Sequence, residues 1–168
     1  MRALIISFVL ILAGCQYDPH TAVYTVAEPR PNDLVGTYEP DKDTAAFVTK
    51  EGHYKSMPPS ISLMSNGTVI ITNIPDWWLT KFGTPSGGFD SGSGTWTIGK
   101  HQRWWALSVS FPSTGQFVSQ QHQAGGLSTE MMLIGEKPPY KIYLDVGDPD
   151  AGKGMKFERV SSKKAEGQ

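Results

Sequence analysis

Residues 60–73 read Ser-Ile-Ser-Leu-Met-Ser-Asn-Gly-Thr-Val-Ile-Ile-Thr-Asn, and this stretch decides the fold. Two apolar segments, Ser60 to Met64 and Thr68 to Asn73, flank the tripeptide Ser65-Asn66-Gly67. Asn-Gly between apolar segments is a strong hairpin signal, because both residues tolerate a positive φ. The stretch therefore predicts two antiparallel strands joined by a tight turn.

The same period-two pattern recurs along the chain. In the segment from Trp104 to Phe111, for example, apolar residues alternate with small or polar ones. An antiparallel sheet with one buried face requires this alternation. The predicted strands are, in chain order, Leu34 to Glu39, Ser60 to Met64, Thr68 to Asn73, Gly94 to Ile98, Trp104 to Phe111, Thr129 to Ile134, Tyr140 to Val146 and Gly154 to Val160.

These eight segments predict an all-β fold. We expect an antiparallel, eight-stranded up-and-down barrel, since closure removes exposed strand edges. A β-sandwich is the alternative, because its strands carry a similar pattern. One short helix is expected after the first strand, with Asp43 as N-cap, Thr44 to Lys50 as body and Gly52 as stop.

The N-terminal residues have the pattern of a targeting signal. Met1 and Arg2 are followed by an apolar stretch from Ala3 to Ala13, interrupted only by Ser7. That stretch is far shorter than the ~20 residues that span a bilayer. Residues 1–14 are therefore predicted to be a signal peptide.

The sequence Leu12-Ala13-Gly14-Cys15 resembles the lipobox of bacterial lipoprotein precursors. This resemblance implies cleavage before Cys15 and its modification with diacylglycerol and a further acyl chain such as palmitate. Because Gln16 rather than Asp follows the cysteine, it implies the outer membrane in a Gram-negative host. Residues 15–33, which include Pro19, Pro29 and Pro31, are predicted to be a lipid anchor and flexible tether. Residues 34–160 form the predicted barrel domain, and residues 161–168 a polar tail.

Leu34-Val35-Gly36-Thr37-Tyr38 resembles the opening motif of lipocalin-like barrels, in which a glycine lies two residues before an aromatic residue. The resemblance implies that Arg159, near the end of the last strand, packs over Tyr38 in a cation-π contact and, with Gly36, closes the barrel. Residues 34–159 also resemble a group of uncharacterised bacterial lipoproteins. The segments that carry this second resemblance, which implies no known activity, are Ser65-Asn66-Gly67-Thr68, Ile74-Pro75-Asp76-Trp77-Trp78, Gly92-Ser93-Gly94-Thr95-Trp96 and Val146-Gly147-Asp148-Pro149-Asp150-Ala151-Gly152-Lys153.

Composition argues against several chemistries. Cys15 is the only cysteine, so lipidation would leave none for a disulfide or a thiolate metal site. Without the signal peptide, 14 basic residues face 16 acidic ones, which gives no electrostatic case for nucleic acid. The histidines lack metal-binding spacing, and no cofactor is predicted.

The acidic residues Asp145, Asp148 and Asp150 are candidate ligands for a hard cation. An EF-hand loop that starts at Asp148 would need a glutamate at position 159, where Arg159 stands. A hairpin turn in which the aspartates cap backbone N–H groups is therefore the favoured interpretation.

Tryptophan pairs give the remaining indication of function. Adjacent residues of a strand face opposite ways, so Trp77-Trp78 and Trp104-Trp105 cannot each place both indoles in the core. We therefore take Trp77, Trp78 and Trp104 as candidate ligand or partner contacts. Packing of the second indole under a loop or helix is the structural alternative.

Three functional hypotheses follow. The first is a monomeric, lipid-anchored binding or interaction protein of the bacterial envelope, whose partner is a small apolar ligand in the barrel or another envelope protein. The second is an immunity or inhibitor lipoprotein that blocks an envelope-acting toxin or hydrolase. The third is a hydrolase without a recognisable motif, in which residues such as Asp76, Asp90 and His101 converge.

Overall fold

The computed structural model describes residues 23–52, 58–75, 88–112, 126–147 and 152–160. In this described part of the chain, no helix is both long enough and apolar enough to cross a bilayer. Several predictions lie outside the described residues: the signal peptide, Cys15, Asp76, Trp77, Trp78, Asp148, Asp150 and the polar tail.

The described strands form a closed antiparallel barrel in which each strand pairs with its sequence neighbours and the last pairs with the first. The strands are β1 (Gly36–Pro40), β2 (Ser60–Leu63), β3 (Thr68–Pro75), β4 (Phe89–His101), β5 (Trp104–Phe111), β6 (Leu127–Ile134), β7 (Lys141–Asp145) and β8 (Gly154–Arg159). This confirms the predicted eight-stranded up-and-down barrel, and the β-sandwich alternative is wrong.

The β2–β3 hairpin forms at the predicted turn. The N–H of Met64 donates to the carbonyl of Thr68 at 2.9 Å, and Gly67 has a φ of 81°. In this register Leu63 lies opposite Val69. Because side chains alternate along each strand, the pairing directs both residues into the barrel.

Apolar side chains from every strand fill the interior. Its members include Tyr38, Ile61, Leu63, Val69, Ile71, Trp96, Leu107, Val109, Phe111, Met131, Leu133, Ile142, Leu144, Met155 and Phe157, all buried. Each fully buried aliphatic or aromatic side chain contributes about 1.5–3 kcal/mol relative to exposure. This core supports the fold without a disulfide.

Two helices flank β1. The helix α1 (Pro31–Leu34) precedes it, whereas Leu34 was predicted to start the strand. Proline is favourable at the first position of a helix, because its missing N–H needs no partner there. Leu34 ends α1 fully buried in the interior cluster.

The helix α2 (Lys42–Gly52) follows β1, as the sequence predicts, but it begins earlier than expected. The cap is Asp41 rather than Asp43, since the N–H of Thr44 donates to Asp41 Oδ1 at 2.8 Å. Thr44 Oγ1 in turn accepts the N–H of Lys156 at 2.8 Å. These bonds fix α2 beside β8, and Val48 joins the interior cluster.

Residues 23–34, which we call the N-terminal strap, dock on the barrel. The N–H of Thr25 donates to the carbonyl of Leu133 at 2.9 Å. The N–H of Trp105 donates to the carbonyl of Thr25 at 2.8 Å. The strap thus enters between β5 and β6. Within the predicted tether, residues 15–33, the described part is thus held to the barrel by backbone groups of Val23 and Thr25.

The strap also crosses one end of the barrel. It starts beside β5 and β6 and reaches β1, which is four strands away from β5 in a ring of eight. β1 and β5 therefore lie on opposite sides, and the chain between them must span the opening. We call this the strap end; it comprises residues 23–34, 64–67, 100–103 and 135–139 together with Arg159.

Candidate interaction surface

The outer wall of β4, β5 and β6 carries a shallow groove of about 360 Å³. It is lined mainly by short hydroxyl side chains and one carboxylate, which belong to Thr95, Thr97, Ser108, Ser110, Ser128 and Glu130. These residues alternate with those that fill the core, so the pattern that builds the interior also builds this wall. We call it the hydroxyl groove.

The strand register brings the hydroxyl groups together. Ser110 lies opposite Thr95 on β4 and Ser128 on β6, and the Oγ atoms of the two serines are 3.2 Å apart. A hydroxyl can both donate and accept a hydrogen bond. The groove can therefore bind donors and acceptors of another molecule.

An exposed His–Glu pair accompanies the groove. His101 Nδ1 lies 2.5 Å from Glu130 Oε2, and their side chains are 43% and 42% exposed. His101 ends β4, whereas Glu130 lies on β6 opposite Ser108 of β5. The pair therefore reaches across β5 on the outer wall and adds a charge-assisted contact beside the hydroxyl groups.

Sequence reasoning did not find this pair. In the hydrolase hypothesis, His101 shares a site with Asp76 and Asp90. The structure places Asp90 fully buried and opposite Ile74 of the interior cluster, while His101 is on the outer wall. Asp90 and His101 are thus not brought together. Only the register of three strands reveals the contact with Glu130, 29 residues away.

Trp104 and Trp105 face opposite sides of the barrel wall, as predicted. Trp105 packs against the interior cluster, while Trp104 packs against an outer cluster. The outer cluster contains Tyr24, Ala106, Met132, Ile134 and Tyr143. Trp104 is thus partly covered by the strap through Tyr24.

The residues predicted to close the barrel, Gly36, Tyr38 and Arg159, lie next to one another. The contact that Arg159 makes differs from the expected cation-π contact with Tyr38. Tyr38 and Arg159 are cross-strand partners on β1 and β8. The Arg159 guanidinium crosses Gly36, where a Cβ would lie 2.6 Å from Nε, and Nη1 donates to the carbonyl of Asp33 at 3.3 Å. Among the described residues, the cation-π contacts are instead Lys100 with Trp105 and Arg103 with Trp104.

Tyr38 anchors the turn between α1 and β1. Its hydroxyl donates to the carbonyl of Leu34 at 2.7 Å inside the fully buried core. Burial raises the pKa of Tyr38 to about 12, and the nearby charge of Arg159 opposes this rise. Tyr38 therefore stays neutral and serves as a hydrogen-bond donor.

Of the three candidate cation ligands, Asp145 lies within the described residues. Asp145 ends β7 opposite Gly154 of β8, as expected for a residue at a hairpin. Within the described residues, no group of three His, Cys, Asp or Glu side chains could hold a metal ion.

A second concavity of about 300 Å³ lies between α2 and β8. Its walls carry Asp41 and Asp43 from the start of α2 and Lys153 and Lys156 from β8 and the residue before it. Carboxylates and ammonium groups thus share this site, so it favours neither anions nor cations by charge alone.

Comparisons with known proteins give no relative from which function could be transferred. The chain matches no family model, no curated protein and no solved structure.

Proposed function

We propose that this protein is a lipid-anchored binding protein of the bacterial envelope that contacts another envelope protein through the hydroxyl groove. The lipobox, Leu12 to Cys15, supports the anchor. The observation that carries the contact is the exposed groove on β4, β5 and β6, with the His101–Glu130 pair beside it.

The short side chains of the groove favour an extended polar segment as the occupant. Serine and threonine leave the backbone of a partner close to the wall, where hydroxyl groups can bond to its N–H and C=O groups. A closed barrel has no unpaired strand edge, so recognition here would proceed through side chains rather than strand addition. The described interior is occupied by the protein's own side chains, which favours an outer surface over the small apolar ligand.

Photo-crosslinking in intact cells tests this proposal. A benzophenone amino acid replaces the exposed Thr97 in the full chain, and the matched control carries it at the exposed Glu39, on the outer face of β1. We expect one protein species to be captured at position 97 and not at position 39. Ser110→Arg should abolish the capture, because a long cationic side chain would fill the groove.

Two results would overturn the proposal. One is equal capture at positions 97 and 39, which would show a non-specific surface. The other is capture at position 97 that Ser110→Arg leaves unchanged. The identity of the captured protein also tests the inhibitor hypothesis, since that version requires a toxin or hydrolase.

A further inference from the structure

Exposed aliphatic side chains gather at the strap end. Among the described residues, the large hydrophobic side chains that remain exposed are Val23, Val26 and Met64, at 45%, 62% and 42%. Val23 and Val26 belong to the strap, and Met64 begins the turn between β2 and β3. All three therefore lie at the same end of the barrel.

Basic groups and tryptophans accompany them. Lys100 Nζ lies 5.8 Å from the ring centroid of Trp105, and Arg103 Cζ lies 4.8 Å from that of Trp104. Both cations are exposed, and both indoles are half-buried. Tryptophan beside lysine or arginine is typical of protein surfaces at the boundary between lipid and water.

The charge of the strap end differs in sign from that of the chain. The sequence as a whole carries a formal charge of −1. The strap end contains five basic and three acidic residues, which gives a local formal charge of +2. These residues are Arg30, Lys100, Arg103, Lys137 and Arg159 against Glu28, Asp33 and Glu136.

We infer that the strap end rests on the anionic lipid surface of the membrane in which Cys15 is anchored. This inference depends on the lipid anchor of the proposed function. Aliphatic side chains would enter the interfacial layer while the basic groups meet lipid phosphates. The opposite end, with α2, would then face away from the lipid, and the hydroxyl groove would lie on the side wall between the two ends.

The length of chain before the strap supports this orientation. Cys15 and Val23 are eight residues apart, so that segment reaches at most about 28 Å when fully extended. A strand of eight residues such as β6 rises about 26 Å. To place the far end on the membrane, most of the segment would have to run back along the barrel wall. The docked strap thus holds its own end next to the lipid.

Lipid quenching of a fluorophore on the full lipidated chain tests the orientation. The probe is attached to Glu28→Cys or Lys137→Cys at the strap end, and to Asp43→Cys on α2 as the matched control; all three positions are exposed. The vesicles contain phosphatidylcholine, phosphatidylglycerol and a headgroup-labelled quencher lipid. We expect loss of emission at positions 28 and 137 but not at 43.

A charge reversal tests the role of the basic groups. Lys100→Glu combined with Arg103→Glu should restore emission at position 28, because repulsion lifts this end from anionic lipid. Lys42→Glu combined with Lys50→Glu on α2 removes the same charge elsewhere and should change nothing. Quenching that survives the reversal at positions 100 and 103 would overturn the electrostatic part of the inference.

The remaining outcomes separate the inference from the anchor. Equal emission at all three positions on vesicles, with Cys15 unreactive towards thiol reagents, would overturn the orientation and leave the anchor standing. A reactive Cys15 thiol in the wild-type chain, with protein absent from the vesicles, would overturn the anchor and the orientation together.

Discussion

Tyr24 packs edge-on against Trp104, with ring centroids 5.3 Å apart and planes inclined by 70°. This geometry is favourable for two aromatic rings, because the positive edge of one meets the negative face of the other. Tyr24 also forms a bridge with Ile134 at the end of β6. Through this contact the strap becomes part of the domain.

Tyr24→Ala should therefore destabilise the domain. The ring is only 6% exposed, and its loss leaves a cavity beside Trp104 and Tyr143. We expect a loss of about 3 kcal/mol in the free energy of unfolding, measured by denaturant titration. Val26→Ala, at a side chain that is 62% exposed, is the control and should change stability by less than about 0.5 kcal/mol. Equal effects of the two substitutions would show that the strap does not dock.

The barrel could be predicted from sequence because the residues that determine each strand and each turn are close neighbours in the chain. Alternation places Leu107 and Val109 on one face, and Asn66-Gly67 fixes a hairpin register without any distant contact. Eight such segments in succession leave few ways to bury their apolar faces. The strand positions and the closed topology could therefore be predicted.

The strap and the His–Glu pair were not predictable in this way. Residues 23–30 have no periodic pattern, and the hydrogen bonds of Thr25 go to residues more than 70 positions away. The contact of His101 with Glu130 likewise needs the register of two strand pairs. A local signal did exist for α1, because Pro31 stands at a favoured N-terminal position and Asp33 bonds back to Arg30.

Gly154→Ala should destabilise the barrel by about 1–3 kcal/mol. The Tyr143 ring crosses Gly154 on the outer wall, and a Cβ there would lie 2.1 Å from the ring. Gly99→Ala is the control, since its Cβ would meet only the Ser108 hydroxyl at 2.8 Å, which can rotate away. Thermal unfolding of both variants checks this. A similar melting temperature for the two would contradict the close contact.

Tyr38→Phe should make the free energy of unfolding less dependent on pH at alkaline pH. Burial raises the pKa of Tyr38 in the folded state to about 12, against an ordinary value of 10. The contribution of the neutral hydroxyl to the free energy of unfolding is therefore complete below pH 10 and is lost as the pH rises towards 12. The variant also leaves the buried carbonyl of Leu34 without its donor, at a cost of about 1–3 kcal/mol. Stability measured across this range should fall less steeply for Tyr38→Phe than for wild type.

Cys15→Ser should abolish incorporation of labelled palmitate and release the protein from membranes, because the thiol is the expected acceptor of the lipid. Gln16→Asp is the informative comparison: it leaves the acceptor intact, so labelling should persist. In a Gram-negative host the lipobox resemblance implies that Gln16→Asp shifts the protein to the inner membrane. Normal membrane attachment of Cys15→Ser would contradict the anchor.

Glu130→Gln should separate binding from stability. The His101–Glu130 pair is more than 40% exposed on both sides, and exposed ion pairs are worth at most about 1 kcal/mol. Glu158→Gln is the matched control, because it breaks the equally exposed pair with Lys141, whose atoms are 2.6 Å apart on another wall. We expect both variants to unfold within about 0.5 kcal/mol of wild type. Crosslinking at Thr97 should fall only in Glu130→Gln, since only that carboxylate lines the hydroxyl groove. An equal yield in both variants would show that the pair takes no part in binding.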